Sequence, residues 1–129
     1  FPCYRWITSS PDDILDFFRQ RINDCQNAGI ASDRIVIDPG FGFAKDLKQN
    51  YDLLSNIDLL KILDKPIMVG ISRKSMIYQS LKTNAKESLN GTTVLNTVSL
   101  IKGASILRVH DVKEANECIK LISALNNQG

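Results

Sequence analysis

The sequence predicts an α/β protein built on parallel strands, with polar loops gathered along one edge of the sheet. Three observations carry this. Short apolar runs rich in β-branched residues at Ile35–Ile37, Ile67–Ile71 and Ile106–His110 read as strands buried on both faces. Between them apolar residues recur at helical spacing, and strands alternating with helices call for right-handed crossovers and a parallel sheet. Each run also ends in polar residues: Asp38, then Ser72 to Lys74, then Arg108 with His110. In a parallel sheet these carboxyl ends share one edge, which is where α/β proteins hold ligands.

Composition narrows the function classes. The chain has 129 residues, 43% of them hydrophobic, which suits a single segment spanning 1–129. Sixteen basic side chains against 14 acidic ones give +2, with no basic run, so nucleic acid and anionic membrane are poor partners. No apolar run approaches the ~20 residues that cross a bilayer, and no signal peptide is visible. Cys3, Cys25 and Cys118 show no zinc spacing and no CxxC pair, which points to free thiols and a cytoplasmic location. The chain starts at Phe1 rather than Met, so a true N-terminus upstream is expected.

The elements follow in order. Ser10 is the expected N-cap of a first helix, with Pro11 at its first position and Asp12 and Asp13 in the first turn. Ile14, Phe18, Ile22, Cys25 and Ala28 form its apolar face, and Gly29 ends it, with Ile30 available for a hydrophobic contact at the cap. After the first strand, Pro39 and Gly40 stop the pattern at Asp38. A second helix is expected from about Asn50 to Lys61, with Leu53, Leu54, Ile57, Leu60 and Lys61 on or near one face. Pro66 opens the second strand, and a short helical piece runs from Met76 to Leu81. Lys82 to Leu89 reads as a polar surface loop. A further helix covers Thr93 to Lys102, its stripe Val94, Leu95, Val98 and Ile101, with Gly103 as the stop. After the third strand Asp111 caps the last helix, with Glu114 in a capping-box-like position and Val112, Ala115, Cys118, Ile119, Ile122 and Leu125 facing inward.

The polar residues then belong together. Asp38 precedes a loop, Gly40-Phe-Gly-Phe43, closing on Lys45; its carboxylate either caps the turn or faces a ligand. The loop glycines let backbone approach a flat molecule, which Phe41 or Phe43 could cover, unless the rings simply pack in the core. Side chains alternate along a strand, so Arg108 and His110 share a face. Such a pair calls for a partner, either an internal carboxylate such as Asp38 or a phosphate held by the guanidinium fork and the imidazole. Lys74, directly after a buried strand, faces a ligand or solvent. Ser75 starts a helix, where a hydroxyl and free N–H groups favour a negative group.

These same residues carry a family resemblance. Asp38-Pro-Gly-Phe-Gly-Phe-Ala-Lys45, Gly70-Ile-Ser-Arg-Lys-Ser75 and Leu107-Arg-Val-His-Asp-Val112 resemble, in order, the three late motifs of dihydropteroate synthases. Ala44 stands where the family pattern usually has Gly. The resemblance implies the C-terminal portion of a TIM-type (β/α)8 barrel, the three strands being its last three. It implies a transferase that joins 6-hydroxymethyl-7,8-dihydropterin pyrophosphate to 4-aminobenzoate in folate synthesis, with release of pyrophosphate. Asp38 would then meet the pterin N–H groups and Lys74 the pterin carbonyl oxygen and ring nitrogen. Arg108 and His110 would hold the leaving pyrophosphate. Ser75 would meet the aminobenzoate carboxylate, and Gly42 and Phe43 would lie beside the substrates. Magnesium is expected with the pyrophosphate, its protein ligand coming from an early strand outside this chain. A homodimer through the late helices is also expected.

Such a barrel takes about 250 residues, so the chain reads as a fragment, inactive alone. Two alternatives compete: the pterin-binding domain of a corrinoid-dependent methyltransferase, and a non-catalytic fragment whose helices only mediate association. The second and third motifs suit a pyrophosphate substrate, which a methyltransferase does not use.

Overall fold

In the computed structural model the described residues are 11–42 and 45–127. Ser10, Cys3 and Phe43 therefore lie outside them. Helix α1 spans Pro11–Asn27 and buries Ile14 and Phe18, with Phe17 and Phe18 in edge-to-face contact at 5.5 Å. It ends as expected at Gly29 (φ 93°): Gly29 N–H donates to Gln26 O and Ile30 N–H to Cys25 O, both at 3.0 Å. This doubled closure takes up two carbonyls that the helix end leaves free.

Helix α2 spans Leu47–Ser55, starting earlier than the apolar spacing predicts. A reciprocal cap sets its start: Gln49 N–H donates to Asp46 Oδ1 at 2.8 Å, and Asp46 N–H to Gln49 Oε1 at 2.9 Å. The chain continues as a 3₁₀ turn, Ile57–Leu63, closed by Asp64 in the left-handed region. Leu53, Leu54, Ile57 and Leu60 are buried as expected, whereas Lys61 is exposed.

The strands are shorter than the apolar runs. Strand β1 is Met68–Val69 and β2 is Ile106–Leu107, paired in parallel with Met68 opposite Ile106. The first run contributes one parallel bridge, Ile37 to Ile67. The Ile37 segment, β1 and β2 thus lie side by side in chain order, with β1 between the other two.

Helix α3 (Ser75–Ser80) follows β1, and α4 (Leu89–Ile101) starts four residues before the predicted boundary, after a 3₁₀ turn at Ala85–Glu87. Helix α5 spans Val112–Asn126 and packs on α4.

One face of the sheet is packed and the other is open. Ile37, Ile67, Val69 and Ile71 are all but fully buried, joined in the core by Phe41, Leu54, Ile57, Leu60, Met76 and Ile77. Their neighbours of opposite parity differ: Val36 is 44% exposed and Ile106 36%. Strands buried on both faces were expected, and this is corrected. Same-handed crossovers between strands laid down in one direction put every helix on one side. The described helices therefore cover a single face.

The stripes of the last two helices also need correction. On α4, Val94 and Ile101 are exposed at 52% and 61%, while Thr92, Asn96 and Ser99 are buried. Leu95 and Val98 do pack, partly buried, against the core, and closeness selects the rest of that face: a Cβ on Gly91 would fall 3.0 Å from Leu81 Cδ1 and closer still to Ile77. The Thr92 and Ser99 hydroxyls donate to the carbonyls of Ser88 and Leu95 in their own helix, which lowers the cost of their burial. On α5 only Ala115 and Cys118 are buried; Val112, Ile119 and Leu125 are exposed.

Candidate functional site

The open face holds the polar residues, and strand parity explains why. With Ile37 opposite Ile67 and Met68 opposite Ile106, the even-numbered positions point away from the helix-packed face. Asp38, Gly70, Ser72, Arg108 and His110 all have that parity. Ser72, Lys74, Arg108 and His110 line a shallow cleft of ≈ 140 Å³ with Gly70 and Val109. A site that encloses a drug-sized ligand needs about 300 Å³ or more, so this cleft is part of a site.

Asp38 sits at its margin. Oδ1 accepts the Gly40 N–H at 2.9 Å, so one oxygen does cap the turn, and Oδ2 accepts from Arg108 Nη1 at 2.8 Å. Of the two partners left open for Arg108, the structure shows the internal carboxylate. Arg108 is nonetheless turned toward the cleft: its side chain is 49% exposed and that of Asp38 33%. The guanidinium lies across Gly70, where a Cβ would come within 2.7 Å of Cζ. The burial expected for this strand end fails for the same reason as for Ile106: nothing among the described residues covers that face.

His110 is exposed and tied to Ser72. Its Nδ1 is 2.8 Å from the Ser72 hydroxyl, which also accepts the His110 backbone N–H at 3.2 Å. Lys74 is half-buried, and its Nζ donates to Phe41 O at 2.6 Å. Burial pushes the Lys74 ammonium below its ordinary pKa, the Arg108 charge pushes the same way, and Asp38 opposes them. Ser75 is the first residue of α3, partly buried, with Lys74 as N-cap.

The Asp38 loop is held from several sides. Gly42 (φ 85°) donates its N–H to Asn50 Oδ1 at 2.8 Å, and Lys45 Nζ donates to Gly40 O at 2.9 Å. The Lys74 stem packs so closely that a Cβ on Gly42 would lie 3.3 Å from its Cδ. Phe41 is a core residue rather than a ligand cover. Sequence reasoning missed Asn50, which is buried on α2 and anchors this loop; its polarity inside an apolar stripe was the available signal.

Arg73 and Asp111 were missed as a pair. Asp111 makes no side-chain cap to α5. Its carboxylate takes two hydrogen bonds from Arg73, whose Nη1 also donates to Ala85 O and Lys86 O at 2.8 and 2.7 Å. The Arg73 backbone N–H donates to buried Thr92 Oγ1 at 3.0 Å.

A family model described as "Pterin binding enzyme" matches residues 8–110. The chain belongs to the pterin binding enzyme family. Among curated members it is 42% identical over 112 residues to the dihydropteroate synthase of Escherichia coli (strain K12), covering 87% of this chain and 40% of that protein. To the Haemophilus influenzae dihydropteroate synthase it is 37% identical over 115 residues, 89% of this chain and 42% of the relative. A solved structure of the Yersinia pestis dihydropteroate synthase with a sulfonamide drug complex superposes with a TM-score of 0.88 at 39% identity, over 92% of this chain and 43% of that one. The Coxiella burnetii synthase in complex with pteroic acid gives a TM-score of 0.87 at 34% identity, over 92% and 44%. The chain thus spans about two fifths of the length of the curated relatives it matches.

Proposed function

We propose that the protein is a dihydropteroate synthase, and that this chain supplies the late part of its (β/α)8 barrel. The observation that carries the reading is the convergence of Asp38, Lys74, Arg108 and His110 on one open sheet face. Parallel sheets are normally covered on both faces; a barrel interior accounts for a face that carries polar side chains. In this reading the carbon–oxygen bond of 6-hydroxymethyl-7,8-dihydropterin pyrophosphate breaks and pyrophosphate leaves with the electron pair. The 4-aminobenzoate amine then bonds to the cationic pterin methylene and gives up one proton to solvent.

A carboxylate has about four acceptor positions, so Asp38 keeps room for pterin N–H groups beside its two present bonds. Lys74, next to Asp38 and Arg108 in charge terms, meets the pterin carbonyl. Arg108 and His110 stabilise charge developing on the leaving group. Ser75 takes the aminobenzoate carboxylate, with Gly42 and Phe43 alongside. Reaction by this route depends mainly on holding both substrates in register.

Magnesium accompanies the pyrophosphate in this reading. Among the described residues no group of three or more His, Cys, Asp and Glu side chains could hold a metal, so no step is assigned to the ion. The exposed apolar residues Val94, Ile101, Val112, Leu121 and Leu125 support a homodimer through α4 and α5. A cytoplasmic location belongs to the same reading; no described helix is long and apolar enough to cross a membrane.

The test is Arg108→Ala in the full-length protein, assayed with both substrates and magnesium. Turnover is expected to fall by about 100-fold, the scale of losing one donor to a developing anion, with pterin affinity changed far less. Absence of product from the unmodified full-length protein would overturn the reading.

A further inference from the structure

We propose that Ser72 is a positioning residue for His110, its hydroxyl holding the neutral ring as the Nε2–H tautomer. The proposal rests on the reading of the cleft as an anion site, because it concerns what the imidazole offers to an anion.

The argument is a count of donors and acceptors. Ser72 is buried, and among the described residues its hydroxyl has two partners, the His110 backbone N–H at 3.2 Å and His110 Nδ1 at 2.8 Å. The backbone N–H can only donate, so the serine oxygen accepts there. The hydroxyl hydrogen then has one acceptor within reach, the lone pair on Nδ1. Donation to Nδ1 places the ring hydrogen on Nε2, at the exposed edge of a side chain that lines the cleft. The opposite tautomer would use Nδ1–H to donate to Ser72, strand the buried hydroxyl hydrogen, and turn a lone pair toward any bound anion.

One residue thus performs two tasks. Accepting the backbone N–H fixes where the end of the β2 segment sits against the loop after β1. Donating to Nδ1 fixes which ring nitrogen is a donor, the role a partner on the far nitrogen plays for any functional histidine. A threonine retains both bonds, while an alanine removes both.

The experiment uses the full-length protein with ¹⁵N-labelled histidine. The His110 ring signals are assigned by their loss in His110→Gln, and binding of inorganic pyrophosphate is measured by calorimetry. The neutral wild-type ring is expected as the Nε2–H tautomer. In Ser72→Ala the tautomer balance shifts and pyrophosphate binds about tenfold more weakly, the scale of one hydrogen bond; Ser72→Thr restores both. An Nδ1–H tautomer in the wild type overturns the proposal, which keeps it falsifiable even if Ser72→Ala does not fold. So does a Ser72→Ala protein with unchanged tautomer balance, or one with changed balance and unchanged pyrophosphate affinity. A wild-type protein that binds no pyrophosphate sinks the anion-site reading, and this proposal with it, whereas a failure seen only in the tautomer spectra leaves that reading standing.

Discussion

The Arg73 guanidinium and the Asp111 carboxylate meet through two hydrogen bonds, Nε to Oδ2 at 2.9 Å and Nη2 to Oδ1 at 3.0 Å. Because Arg73 also holds two carbonyls of the Ala85–Glu87 turn, one side chain ties the loops after β1 and β2 to the start of α4. Its neighbours on either side, Ser72 and Lys74, face the cleft. Arg73 itself has φ 54°, a costly conformation for a residue with a Cβ that the surrounding bonds must hold.

This pair gives a pH dependence with a definite sign. The hydrogen bond from Arg73 holds the Asp111 carboxyl below its ordinary 3.8. A lowered folded-state pKa contributes stability that is complete above 3.8 and lost as pH falls through the folded value. Urea unfolding should find Asp111→Asn less stable than wild type at neutral pH. The gap should narrow once pH drops below 3.8. A gap that stays constant into strong acid would show that the pair does not set it.

Gly70→Ala should separate function from stability. The added Cβ meets the movable end of Arg108, which can swing away at little cost to the fold. Catalytic efficiency is expected to fall about 10- to 100-fold, as for a misplaced catalytic group, while the denaturation midpoint stays near wild type. An equal loss of stability would mean that the backbone, not Arg108, has moved.

Asp38→Asn keeps the shape of the side chain but turns one oxygen into a donor facing other donors. Pterin binding should weaken by roughly 2–4 kcal/mol, the loss of a charged contact plus an unpaired partner. Unchanged pterin affinity by calorimetry would contradict the role assigned to Asp38.

The 129-residue chain alone should make no dihydropteroate. Its sheet has an uncovered face carrying Val36, Met68 and Ile106, and its cleft of ≈ 140 Å³ is too small to surround two substrates. Purified chain assayed with both substrates and magnesium should be inactive, and full activity would show that the cleft is complete as it stands.

Strand order, helix order and the shared edge were legible because each rests on local pattern. β-branched runs and Gly29 act within a few residues of where they stand. The partners of the polar side chains were not legible. Asp111 reads as an N-cap because a cap needs only its own helix, whereas Arg73, 38 positions away, takes the carboxylate only once the two strands are side by side. Likewise Asn50 and Ser72 look like ordinary surface-type residues until Gly42 and His110 are brought against them. The open face was misread for a related reason. An apolar run shows that a strand can be buried, and only the position of the helices shows on which side.

Helix α4 inverts the usual relation between hydropathy and freedom to vary. Val94 and Ile101 are exposed, so polar residues there would spare the packing within the chain and bear only on the proposed dimer contact, while Gly91 admits almost no added volume and Ser99 is fully buried. A substitution scan read by hydropathy alone would overlook the small positions. Enlarging the small residues would push α4 away from α3, and with it Thr92, whose hydroxyl holds the Arg73 backbone. The size of a few side chains on α4 thereby bears on the Arg73 backbone, which sits between the cleft residues Ser72 and Lys74.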